Sequence, residues 1–171
     1  ITYTTHVCPE YMDVQNYRTH VESTVRENGY ESITHEAADG FESVWHKRTE
    51  DPTIGVTEVF TTIVDADGLD VDAVEETAEE FREFLTAASS LEPGSMKNLF
   101  GYVVCAVADP SEELIDFATD DYTVADRRTS VFPLVYDLDS ETLYTHTVPR
   151  LKGRGFYEKQ RIDAEELFTV E

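Results

Sequence analysis

Lysine is scarce in a chain of this size: Lys47, Lys97, Lys152 and Lys159 are its full complement. With arginine there are 13 basic residues against 36 acidic ones, a formal charge of −23. A surface so poor in cations excludes general adhesion to nucleic-acid phosphates. Cysteine is nearly absent as well. Cys8 and Cys105 lack the number and spacing of a disulfide framework or a zinc site, and Cys105 reads as a small core hydrophobe. The five histidines, His6, His20, His35, His46 and His146, form no HxH or HExxH pair. His35 and His46 flank a hairpin, and the reading is solvated or hydrogen-bonded side chains, not metal ligands. There is no GxSxG, no Walker lysine and no GxGxxG, and Gly153-Arg154-Gly155 is too short to cradle a phosphate. These patterns call for no cofactor. No apolar run approaches the roughly 20 residues of a membrane span. No signal-peptide pattern opens the sequence either, so a cytoplasmic home is expected, and Ile1 in place of methionine points to residues upstream.

What is present is enough for a core. In 171 residues, 40% are hydrophobic and 11% aromatic, which predicts one folded domain over 1–171 and excludes an acidic disordered tail. The longest charge-free run, Leu99–Ala108, is rich in valine and aromatics and closes at Asp109-Pro110. It reads as a central strand buried on both faces. Every other apolar segment is amphipathic. Val14, Tyr17, Val21 and Val25 make one stripe of a helix over about 12–28, with Gly29 as its left-handed cap. Strands follow at 32–37 and 41–48 around Asp39-Gly40, then at 53–64 after Glu50-Asp51-Pro52. A long helix over 73–89 buries Val74, Ala78, Phe81 and Leu85, with Asp72 and Glu75 as its capping pair. Asp109, Pro110 and Glu112 predict the start of a two-turn helix. A hairpin of 131–136 and 142–148 comes next, Pro133 marking an edge or a bulge. Asp163 and Glu166 predict a last short helix. The order α-βββ-α-β-α-ββ-α predicts an α+β domain with helices on a mainly antiparallel, partly mixed sheet of about six strands. The long helix would allow the central strand to pair in parallel with 53–64.

Against this acidic background one window is inverted. Arg150, Lys152, Arg154, Lys159 and Arg161 oppose the single Glu158, so residues 150–161 carry +4 and leave −27 for the rest of a chain totalling −23. Phe156 and Tyr157 are interleaved, and Gly153 and Gly155 let the backbone bend. Two readings compete. The cations neutralise their own domain, or they dock an acidic or protein partner, and docking is the expectation. Nucleic acid is disfavoured, because five phosphate contacts would lose more than about ten-thousandfold in affinity per tenfold rise in salt. A second copy of the chain is a further candidate partner, and a membrane is not.

Acid in place of lysine resembles the proteins of salt-in halophilic archaea and their viruses. At molar salt the screening length is about 3 Å, so self-repulsion nearly vanishes. The run Glu58-Val59-Phe60-Thr61-Thr62, then Val131-Phe132-Pro133-Leu134-Val135-Tyr136-Asp137-Leu138, Leu143-Tyr144 and Gly155-Phe156-Tyr157 is similar to a group of uncharacterised acidic haloarchaeal proteins, over about the C-terminal two thirds. That resemblance implies origin and fold and brings no established activity with it; a high-salt cytoplasm or a virion is the expected location. The order helix, three-strand meander, helix, strand also resembles the core of the restriction-endonuclease-like fold. That likeness implies a metal site with an acid on one strand and Glu-x-Lys on the next. Glu42 and Glu58 are the matching acids, but Glu58-Val59-Phe60 lacks the lysine, so a divergent metal-dependent nuclease is the second expectation.

Overall fold

A computed structural model describes residues 12–33, 41, 43–51, 55–88, 97–122, 125–126, 129–150 and 154–170. The elements are α1 (Val14–Glu27), β1 (Glu31–Ile33), β2 (Val44–Asp51), β3 (Gly55–Asp65), α2 (Val71–Ala88), β4 (Lys97–Val107), α3 (Glu112–Asp116), a π-helical turn (Phe117–Asp121), β5 (Ala125–Asp126), β6 (Thr129–Asp137), β7 (Thr142–Tyr144) and α4 (Arg154–Leu167). The α+β expectation holds. Its six strands correspond to β1–β4, β6 and β7, and the two-residue β5 is an addition.

The sheet runs β1-β2-β3-β4-β6-β5, with β7 also on β6. Four strand pairs are antiparallel and two, β3–β4 and β4–β6, are parallel. The parallel pairs form the centre because α2 and α3 each supply the crossover that a parallel connection needs. β4 lies between them, and Val103, Val104, Cys105 and Ala106 are fully buried. β5 pairs with β6 at Thr129 and Ser130 and β7 at Val135–Asp137, so Pro133 falls between them, where no ladder hydrogen bond is lost on that side.

Strand alternation sends side chains into two helical layers. Phe60 packs edge-on against Phe84 of α2 on one face, while Tyr102 meets Phe168 and Tyr136 stacks on Tyr17 of α1 on the other. The α2 layer is close at Gly101, where an added Cβ would lie 2.7 Å from Leu85 Cδ1 and 3.2 Å from a Phe81 ring carbon.

Three helix starts differ from the sequence reading. Asp70, not Asp72, caps α2 by accepting from the Ala73 N–H at 2.9 Å. Ser111, not Asp109, caps α3 through Leu114 N–H at 3.2 Å. Asp109 instead takes a left-handed φ of 51° at the end of the loop. The last helix begins nine residues before Asp163, so most of the basic window is helical and Asp163 sits inside it. By contrast Gly29, at φ 88°, ends α1 as expected, with Tyr30 N–H on Val25 O and Gly29 N–H on Arg26 O. The Asp39-Gly40 and Pro52 turns, Cys8, His6 and His35 lie outside the described residues.

Candidate functional site

The two sequence candidates sit on different parts of the fold. Helix α1, strands β1–β3, helix α2 and strand β4 follow one another in chain order, with β4 parallel to β3. On that sheet Glu58 faces the α2 layer and is 2% exposed. His46, on β2, brings Nε2 to 3.3 Å from Glu58 Oε1 and leans its ring on Phe60 at 4.5 Å. A buried carboxylate needs such partners, since removing it from water costs several kilocalories unless charge or hydrogen bonds compensate. Phe60 fills the position where a catalytic lysine would stand and is itself core. Glu42 lies outside the described residues. Among the described residues, no group of three or more His, Cys, Asp or Glu could hold a metal ion. Glu58 is therefore a buried, packed side chain with the His46 ring beside it.

Of the basic window, residues 154–161 form the first turns of α4. Arg150 is exposed. Lys152 lies outside the described residues, and Arg154 and Phe156 are placed in the first turn of the helix by their backbone. Tyr157 and Lys159 face the sheet. The Tyr157 ring meets Phe132 at 5.5 Å and His146 at 4.9 Å. Lys159 Nζ lies 5.6 Å from the centre of the Phe100 ring and donates to Asp163 Oδ2 at 3.0 Å. The Tyr102 hydroxyl donates to the same oxygen at 2.6 Å, and burial, then Asp163, holds that phenol well above its usual range. This Lys159–Asp163–Tyr102 group clamps α4 to β4 across 61 residues of chain.

Arg161 points the other way. It donates to Glu158 at 3.2 and 3.3 Å and to Glu165 at 3.3 Å, and its side chain remains 44% exposed. Next to it, Ile162 is 46% exposed, the one large hydrophobic side chain left so among the described residues. The window thus divides into an inner half, Tyr157 and Lys159, and an outer half that keeps Arg150 and Arg161 at the surface.

The sequence reading did not single out Gln160 or Ile162, or give His146 a role. Gln160 is fully buried and clasps the His146 backbone, accepting from its N–H at 3.2 Å and donating to its C=O at 3.0 Å. A buried glutamine breaks the apolar stripe that would have announced the helix. Elsewhere, Asp70, Asp72, Glu113 and Asp116 line a groove of about 380 Å³ between α2 and α3, a concentration of like charge. No helix among the described residues is long and apolar enough to cross a membrane. No protein-family model matches the chain, and none of the curated proteins or solved structures matches it either.

Proposed function

We propose that this chain is a non-enzymatic interaction or assembly protein of a halophilic archaeon or its virus, docking a protein partner through the basic segment 150–161 and the outer side of α4. The observation that carries the reading is the exposed Ile162 beside an Arg161 held in place by Glu158 and Glu165. An apolar anchor flanked by a positioned arginine is the kind of pairing that contributes most at interfaces. It also suits strong salt, where isolated ion pairs contribute little and apolar burial does not fade. Origin in a salt-in organism is supported by 36 acidic residues against four lysines.

The second reading, a divergent metal-dependent nuclease, draws on the order α1-β1-β2-β3-α2-β4 and on Glu58. Against it stand the burial of Glu58 against His46 and the phenylalanine at position 60. Two measurements separate the readings. Affinity capture from native high-salt lysate, with wild type beside the Arg150→Glu/Arg161→Glu double variant, should show a partner that the variant loses. Magnesium-dependent cleavage of DNA by the wild type, abolished by Glu58→Gln, would instead establish the nuclease.

A further inference from the structure

We propose that His146 is a proton-dependent clasp fastening residues 145–150, which follow β7, to the end of the π-helical turn. Its two ring nitrogens each face a backbone carbonyl: Nδ1 lies 3.0 Å from Thr147 O and Nε2 3.3 Å from Tyr122 O. Carbonyl oxygens only accept. A neutral imidazole carries one N–H, so one of these contacts sets a lone pair against a lone pair, whereas the imidazolium donates to both. The ring has little freedom to turn away. It lies 4.9 Å from Tyr157 and 6.5 Å from Phe132, and Gln160 pins the backbone of the same residue from both sides.

Among the described residues, several charged groups on the neighbouring elements have partners of their own. On α4, Glu158 pairs with Arg161 and Lys159 with Asp163, leaving the Tyr157 phenol as the titratable group in contact. In and after the π-helical turn, Asp120 accepts from Thr119, and the Tyr122 hydroxyl is held by Glu79 and Arg82. β6 presents the uncharged Phe132. A second tie, Thr147 N–H to Thr119 O at 2.9 Å, joins the same two segments and reports on the clasp. Protonated, His146 adds a charge-assisted hydrogen bond that holds the segment; the neutral ring lacks that bond and the segment loosens. This clasp does not depend on the docking reading.

The test is hydrogen exchange at the Thr147 amide in the full chain, wild type and His146→Gln, at about pH 8 and about pH 5.5, the span over which histidine changes charge. After correction for intrinsic exchange, wild type should open about tenfold less at the lower pH, the size expected of one added charge-assisted hydrogen bond. His146→Gln should show no such change. Nitrogen-15 NMR of wild type alone gives a second readout should the variant fold poorly. At about pH 5.5 both ring N–H groups of His146 should exchange slowly, unlike those of the exposed His20. Equal pH dependence in the two proteins, or ring protons exchanging as fast as those of His20, would overturn the clasp.

Discussion

Gly101→Ala is the substitution whose sign the packing decides. The glycine lies in β4 with ordinary extended backbone, so alanine fits its conformation, and reduced freedom of the unfolded chain would by itself stabilise by about 0.4–1 kcal/mol. The α2 layer opposes this. The new Cβ would sit 2.7 Å from Leu85 Cδ1 and 3.2 and 3.3 Å from Phe81 ring carbons, and both side chains are fully buried. Forcing a methyl into such a site costs about 1–3 kcal/mol. At the middle of both ranges crowding outweighs the gain in the unfolded chain, and a net loss of about 1 kcal/mol is expected. Urea unfolding in molar KCl measures it, and a melting temperature lower by roughly 2–4 °C per kcal/mol is the thermal counterpart for a domain of this size. Leu85→Ala alone should cost about 2–5 kcal/mol. Combined with Gly101→Ala the cost should fall short of the sum by at least about 0.5 kcal/mol, because the new methyl occupies part of the space Leu85 leaves. A Gly101→Ala protein more stable than wild type would refute the close approach of α2 to β4.

Three further outcomes follow from charge and burial. Melting temperature should rise between about 0.1 M and molar KCl, since the four carboxylates around the α2–α3 groove and the −23 total repel one another unless screened; equal values would remove the halophile reading. Cys105, whose thiol burial pushes up to about 12, should react with a thiol reagent only after unfolding, and rapid native labelling would move β4 out of the centre. Burial opposes ionisation of Asp137, but hydrogen bonds from Ser140 and from the Asp139, Ser140 and Asp109 backbones outweigh it and lower its carboxyl below the usual range. Its stabilisation is therefore present above the unfolded carboxylate range and lost as pH falls through the folded value. The stability gap between wild type and Asp137→Ala should narrow on acidification from about pH 7 to about pH 3, and a constant gap would contradict that role.

The sequence was most legible where burial is complete. β4 declares itself because a strand covered on both faces must be apolar at every position, and α1 and α2 because one side of each is wet. Helix starts were less legible for a reason peculiar to this composition. Where acids are everywhere, Asp70 and Asp72, or Asp109 and Ser111, are equivalent cap candidates, and only the geometry of the preceding loop chooses between them. α4 was hidden by Gly153, Gly155 and the buried Gln160, whose burial rests on hydrogen bonds to His146, 14 residues away. For the same reason the basic window read as one patch. The pairing of Lys159 with Asp163, and of Asp163 with Tyr102, depends on α4 lying across β4, which no local pattern encodes.

Docking through the outer side of α4 is tested most directly by reversing Arg150 and Arg161, the arginines of the basic window that are exposed among the described residues, leaving Lys159 and its clamp intact. Exposed ion pairs contribute about 0–1 kcal/mol each, so Arg150→Glu/Arg161→Glu should melt within a few degrees of wild type. In molar KCl the variant should fail to retain the partner that wild type captures. A variant that melts like wild type and still holds that partner at the same salt would contradict docking at this surface.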